Sequence, residues 1–409
     1  MLSSPIRIAS RSASTQVLPR GLAAITQKNP DDVVITFAKR TAMGRAKKGQ
    51  LKDTTVDELL QALFKASLAS AKIDTAKIDD ICVGVCHPPS PLYISRAAAL
   101  AAGIHNHVPI STVNRLCSSG LMAIRNTAHA IKSGEVTLGL AVGVESMSTD
   151  PRPDPKVSEP VDAHKEPHDC IQPMGWTSEM VAEHYNVPRE KQDAYALISH
   201  SRAIQAFKAG VFKDEILPID IRGQTIDTDD TIRLTTTADS LKGLKPVFPN
   251  WGSTPSTTAG NASGVGDGAA LCVMTTRANA EKEGLTVVAK FVGTSVVGVE
   301  PRFMGISPVV AIPKLLAQHG LTKDGIDVYE INEAFASQFA YCVEELGVSM
   351  DKINPNGGSI AISHPLGMTG VRQVVTGLQH LKRMNQQVLL TSMCVGSGMG
   401  AAGLFVNES

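Results

Sequence analysis

Aliphatic residues along this chain fall into two rhythms. Short runs at residues 33–37, 81–85, 136–144 and 388–393 are rich in β-branched side chains and bounded by polar ones, which predicts buried strands. Between them apolar positions recur every three and four residues, which predicts amphipathic helices. One such helix spans 56–71 and another 309–318. A third follows Cys117, with Leu121, Ile124, Ala128 and Ile131 on one face. A fourth follows His364, with Val371, Val374, Val375, Leu378 and Leu381. Strands alternating with helices predict parallel, buried sheets covered by helices.

The pattern occurs twice. The strand, helix and strand at 33–37, 56–71 and 81–85 have counterparts at 287–292, 309–318 and 326–331. Gly268-Ala269-Ala270-Leu271-Cys272-Val273 is echoed by Gly400-Ala401-Ala402-Gly403-Leu404-Phe405-Val406, each reading as the last strand of its half. The first half is therefore interrupted between about residues 149 and 261. That stretch differs in character: 150–173 is rich in Pro, Asp and His, 181–212 is helical, and 220–239 is polar with β-branched residues. An insertion of this size suits a binding or covering role.

Composition narrows the function classes. With 409 residues, 43% of them hydrophobic, the chain can bury a large core. Aromatic residues at 4% leave that core to Ala, Val, Ile and Leu. Lys+Arg and Asp+Glu both number 39, and that balance speaks against a dedicated nucleic-acid binder. No apolar run approaches the ~18 residues that suggest a membrane span. Seven scattered cysteines fit a reducing compartment better than a disulfide scaffold. Cys82, Cys86 and His87 form a tight cluster without a second half for zinc, so no metal site is expected. Residues 1–30 lack Asp and Glu but carry Arg7, Arg11, Arg20 and Lys28 among Ser and Ala. They read as a disordered or targeting extension of mitochondrial composition, with folded sequence beginning near Asp32.

Three constellations carry chemistry. Cys117 and His364 stand at equivalent points of the two halves, each expected after a strand and at a helix start. Two such halves about a pseudo-twofold bring both helix starts to one centre, where a helix N-terminus favours a thiolate and an imidazole activates it. Cys394-Val395-Gly396-Ser397-Gly398-Met399-Gly400 puts a second thiol beside a glycine turn. No helix follows it, which disfavours a dinucleotide loop and suits proton exchange with a carbanion. Asn332, in Glu330-Ile331-Asn332-Glu333-Ala334-Phe335, either caps a helix or holds a water or oxyanion.

Together these motifs carry a resemblance. The chain resembles the thiolases, and among them the peroxisomal type of 3-ketoacyl-CoA thiolase, from Lys28 to its end. The segments that carry it are Asn114-Arg115-Leu116-Cys117-Ser118-Ser119-Gly120, Val144-Glu145-Ser146-Met147-Ser148, Thr258-Ala259-Gly260-Asn261-Ala262-Ser263, Asn332-Glu333-Ala334-Phe335, His364-Pro365-Leu366-Gly367 and the Cys394 turn. The resemblance implies an α/β fold of two duplicated βαβαβαββ halves forming a five-layered α-β-α-β-α core. The halves would be 31–148 with 262–285, and 286–409, with 149–261 an inserted loop domain that binds coenzyme A.

By the same resemblance Cys117 is the acyl-accepting nucleophile, His364 its base, and Cys394 the acid/base that protonates an enolate. Asn332 holds a water with His364 in one oxyanion hole, and the backbone N–H groups of Cys117 and Gly396 form the other. Coenzyme A is expected along Ala259 and Ser263 with Arg233 at its nucleotide end. Met174, Phe248, Met304 and Phe335 would line the pantetheine and acyl path. The implied reaction is acyl transfer: coenzyme A cleaves a 3-ketoacyl-CoA of fatty-acid β-oxidation to acetyl-CoA and a shortened acyl-CoA. No permanently bound cofactor is expected, coenzyme A being a substrate. A homodimer is expected, in the peroxisome by resemblance or the mitochondrion by the N-terminus. The alternatives are acetoacetyl-CoA formation or a specialised pathway, and a non-catalytic paralogue that binds CoA thioesters. The chain departs from the family pattern at Leu116 (commonly Gln), Ser363 (usually Gly) and His87-Pro88-Pro89-Ser90-Pro91 (usually Gly-rich).

Overall fold

The computed structural model describes residues 20–409. Among the described residues nine strands run side by side through its main sheets: β1 (Val33–Arg40), β2 (Asp80–Gly84), β3 (Ile110–Val113), β4 (Leu138–Ser146), β5 (Gly266–Thr276), β6 (Ala289–Gly298), β7 (Val328–Ile331), β8 (Val388–Val395) and β9 (Met399–Asn407), and a two-residue tenth, Gly44–Arg45, pairs with the start of β5. The first half runs in the order β1-β5-β4-β2-β3 and the second in the order β6-β9-β8-β7. A parallel bridge from Tyr329 to Ile353 stands where a fifth strand would continue the second half. The two orders are the same, so the repeat seen in the sequence is a repeat of topology. Two antiparallel pairs, Val34 with Lys290 and Ile35 with Ala289, join the sheets at β1 and β6.

The sheets are mixed rather than parallel throughout. β2 pairs parallel with β3 and β4, and β7 with β8. The last strand of each half, β5 or β9, runs antiparallel to its neighbours. The cause is visible in the second half, where the three-residue turn 396–398 folds β9 straight back on β8. In the first half the insertion occupies the place of that turn.

Two helices, Ser119–Ser133 and Leu366–Met384, lie side by side between the sheets. Residues 367–378 of the second are buried on every side, as a helix covered from both faces must be. Helices Val56–Ala71 and Pro308–Gln318 pack on the outer faces, which completes five layers. The two central helices touch backbone to backbone at their starts. A Cβ added at Gly120 would stand 2.6 Å from the Gly367 carbonyl oxygen, and one at Gly370 would stand 2.2 Å from the Leu121 nitrogen. Only hydrogen fits at those points, and this approach sets the spacing of the two sequence motifs that precede the helices.

The expectation of a single helical stretch at 181–212 is corrected to two helices, Met174–His184 and Arg189–Lys208, parted where Pro188 cannot donate to the preceding turn. The insertion is tied down by a buried triad. Arg40 is fully buried and pairs with Glu215 at 2.6 Å and Asp229 at 2.7 Å, both from the insertion.

The expected start near Asp32 is too late. Leu22–Thr26 is a short helix, its Ile25 is fully buried in the second-half core, and the Gly21 N–H donates to the His319 carbonyl. Burial of Ile25 and the pairing of that backbone group anchor residues 20–30, which are therefore part of the fold. The rest of the targeting reading falls on residues 1–19, outside the described residues.

Candidate active site

Cys117 sits in a single 3-10 turn, Leu116–Ser118, that feeds the central helix Ser119–Ser133. The turn is held by side chains. Asn114 accepts from the Leu116 N–H at 2.9 Å, and the Ser119 hydroxyl donates to the Leu116 carbonyl at 2.7 Å. Leu116 is left with φ +45°, an uncommon backbone for a branched residue, and its Cδ1 lies over Gly396. The Gly396 N–H and the N–H of Cys117 itself lie toward the Cys117 sulfur. Burial nevertheless pushes the thiol up to about 11. The expectation that the helix start favours a thiolate is thus corrected: loss of water outweighs the two N–H groups.

His364 does not directly follow a strand. The one-turn helix Ser359–Ile362 intervenes, and Pro365 starts the second central helix. Its Nε2 lies 3.2 Å from Asn332 Nδ2, and its Nδ1 lies 2.6 Å from the Thr369 hydroxyl. Burial, with Arg372 nearby, pushes the imidazole down to about 3, so the ring is neutral at rest. Asn332 is not a helix cap, because the next helix begins at Ala336 with Phe335 before it. Its Oδ1 accepts from the Ser359 hydroxyl at 2.6 Å.

Cys394 is the penultimate residue of β8 and is fully buried. Its thiol donates to Gln338 Oε1 at 3.1 Å, and a charged Cys117 would raise Cys394 further, so the two sulfurs are neighbours. Cys394 packs in one apolar cluster with Met174, Met304 and Phe335. Arg233 and Ala259 line a narrow cleft together with Arg45, His200 and Ser363. The Ser263 N–H donates to the Ala334 carbonyl, beside Phe335. Phe248 stands apart from the Met304 cluster: its ring fills the space over Gly175 and stacks on Trp251 at 4.8 Å.

A cavity of about 250 Å³ opens beside Cys117. Its lining includes Cys86, His87, Leu116, Pro153, Ile171 and Met174, mostly apolar atoms. Cys86 turns its thiol to the Leu116 carbonyl at 3.0 Å, and His87 Nδ1 lies 3.1 Å from the Asp150 carbonyl.

Family models decide the relationship. The thiolase N-terminal domain matches residues 33–278 and the thiolase C-terminal domain matches residues 285–407. The chain belongs to the thiolase family. It is 45% identical to the peroxisomal 3-ketoacyl-CoA thiolase B of Rattus norvegicus, over 97% of this chain and 96% of that protein. It is 46% identical to the peroxisomal 3-ketoacyl-CoA thiolase of Yarrowia lipolytica, over 95% and 96% of the two chains. The dimeric peroxisomal thiolase of Saccharomyces cerevisiae superposes with a TM-score of 0.89 at 40% identity, covering 94% of this chain and all of that one. Human mitochondrial 3-ketoacyl-CoA thiolase in complex with CoA gives 0.83 at 34% identity, covering 93% of this chain and all of that one.

This thiolase holds its site with residues to which the sequence reading gave no role. Glu145 is fully buried and accepts from the N–H groups of Cys86, His87 and Gly367, which pins the loop beside Cys117 to the start of the His364 helix. Burial raises its carboxyl, and the His87 side chain, the His87 and Gly367 N–H groups and the Cys86 thiol oppose the rise. Gln338 accepts a hydrogen bond from the Cys394 thiol at one end and donates to the Asn332 carbonyl with the other. Glu333 is fixed by Ser199, Asn354 and the Ile360 N–H, so the Asn332 loop leans on the insertion. The buried polar positions Thr369, Arg372, Gln373 and Thr376 recur at helical spacing, and that stripe was a readable signal of a polar interior.

Proposed function

We propose that this thiolase cleaves 3-ketoacyl-CoA with coenzyme A to acetyl-CoA and a shortened acyl-CoA, as a peroxisomal homodimer serving fatty-acid β-oxidation. The support is family membership at high coverage joined to one observation: Gln338 links Cys394 to the Asn332–His364 pair, and the helix that follows Cys117 packs against the helix that follows His364 at Gly120 and Gly370. In this reading His364 Nε2 accepts the Cys117 proton, and the Cys117 sulfur adds to the 3-keto carbon. The Cys117 and Gly396 N–H groups receive the oxygen that becomes negative. The C2–C3 bond then breaks, its electron pair passing into a thioester enolate whose oxygen is held at Asn332 and His364. Cys394 gives its proton to C2, releasing acetyl-CoA. The Cys394 thiolate next takes the proton of an incoming coenzyme A thiol, whose sulfur adds to the thioester carbon and expels the Cys117 thiolate, and Cys117 recovers its proton from His364.

The resting groups fit a substrate-driven proton transfer. With the thiol at about 11 and the imidazole at about 3, the sulfur keeps its proton until a substrate oxygen arrives to stabilise the pair. The nearby apolar cavity suits the acyl chain, and the cleft at Arg233 and Ala259 offers a cationic side chain to the nucleotide end of coenzyme A. The bound group is substrate, and no resident cofactor enters the steps.

The test is thiolysis of acetoacetyl-CoA and of longer 3-ketoacyl-CoA, read by loss of the Mg-enolate absorbance. Activity that vanishes in Cys117→Ala, with mass spectrometry finding the acyl adduct on Cys117, supports the proposal. Silence on every chain length, or an adduct on Cys86 or Cys394, overturns it. Size-exclusion chromatography reads the dimer, and a fluorescent fusion of the full chain reads the compartment.

A further inference from the structure

We propose that Ser359 is a positioning residue that decides which edge of the Asn332 amide faces His364. The inference rests on the function proposed above for the roles of Asn332 and His364, and on geometry for its own part. Ser359 is fully buried and has two polar partners: Arg372 Nη2 at 3.2 Å and Asn332 Oδ1 at 2.6 Å. A guanidinium only donates, so the serine oxygen accepts from Arg372 and its single proton must go to Asn332. The short separation suits O–H···O rather than N–H···O. With the amide turned the other way, Ser359 would face two donors and its own buried proton would have no acceptor, a penalty comparable to a lost hydrogen bond.

The orientation carries through to the imidazole. With Oδ1 held by Ser359, Asn332 Nδ2 donates to His364 Nε2. Nε2 must then be the bare nitrogen and Nδ1 must hold the proton. The other side of the ring agrees. Thr369 spends its hydroxyl proton on the Pro365 carbonyl at 2.7 Å and so accepts from Nδ1. The tautomer so fixed is the one whose Nε2 can take a thiol proton. Once it does, Nε2–H and Nδ2–H are both donors, and they face the same small space with an oxygen as their natural partner. Ser359 touches neither substrate nor sulfur; it acts through Asn332.

The test compares Ser359→Ala and Ser359→Thr with the wild type. Ser359→Ala removes the hydroxyl that holds Asn332 Oδ1 and leaves the Thr369 contact to act on the tautomer without it. The expected result is a fall in kcat of about tenfold with KM for coenzyme A unchanged, restored by Ser359→Thr. Nitrogen-15 NMR of histidine-labelled protein, with His364 assigned through His364→Ala, reads the tautomer without turnover. It should show Nδ1–H in the wild type and a mixture in Ser359→Ala. A merely structural serine would lower the melting temperature and leave the tautomer alone. Wild-type kcat in Ser359→Ala, or an unchanged Nδ1–H signal in it, overturns the proposal. Should the wild type fail to cleave any 3-ketoacyl-CoA, the function falls while the NMR comparison still decides Ser359.

Discussion

Gly370→Ala isolates the contact on which the site depends. By helix propensity alone, alanine inside the Leu366–Met384 helix should stabilise it by ~1 kcal/mol. The contact opposes this. The new Cβ would stand 2.2 Å from the Leu121 nitrogen and 2.9 Å from the Leu121 Cβ, and no rotamer can relieve a backbone neighbour. Ordinary contact needs about 3.5 Å, so the two central helices must part by about 1 Å. Overpacking of this kind costs about 1–3 kcal/mol, which outweighs the propensity gain and leaves a net loss near 1 kcal/mol. On the mechanism proposed above the larger effect falls on the chemistry, because the contact lies close to the starts of the two helices that follow Cys117 and His364. A displacement of about 1 Å between reacting groups lowers the rate on the order of 100-fold. The assay is kcat for thiolysis beside the thermal midpoint, with Gly325→Ala as the control, since a Cβ there meets nothing. A Gly370→Ala enzyme with wild-type kcat and an equal or higher midpoint would refute the argument.

Three further outcomes are expected. Ser363 has φ +87° and ψ 166°, a region open almost only to glycine, so Ser363→Gly should be about 1 kcal/mol more stable than Ser363→Ala by denaturant titration, reversing the usual order. Glu145→Gln replaces the buried carboxylate shared by three N–H groups with an amide that has one acceptor oxygen, and should lower stability by about 2–3 kcal/mol, with a matching loss of kcat; an unchanged midpoint contradicts it. Since burial holds the Cys117 thiol up at about 11, its thiolate fraction in the free enzyme grows with pH, tenfold per unit below that value. Iodoacetamide labelling of Cys117 should therefore climb steadily from pH 7 to about pH 10, and a plateau below pH 8 would contradict the reasoning.

The duplication was legible because strand and helix periods repeat with their order intact, and Cys117, His364 and Cys394 stood out because each borders a glycine-bearing turn. The direction of β5 and β9 was not legible, since an apolar run looks the same in either direction. Ile25 escaped notice because one apolar residue in a short polar stretch has no period. Asn332 read as a possible cap, and only the helix start at Ala336 excludes it. Gln338 and Ser359 carry no local signature at all. Each matters through a partner distant in sequence, Cys394 for the first and Asn332 for the second, and such pairings emerge only when the chain is folded.

The cavity beside the nucleophile has a practical consequence for inhibitors. Its lining includes three cysteines, Cys86, Cys117 and Cys170. An electrophilic drug admitted there meets several competing warhead targets, so loss of activity would not by itself identify the adduct. Selectivity would have to come from the scaffold that orients the warhead, and occupancy would have to be scored peptide by peptide.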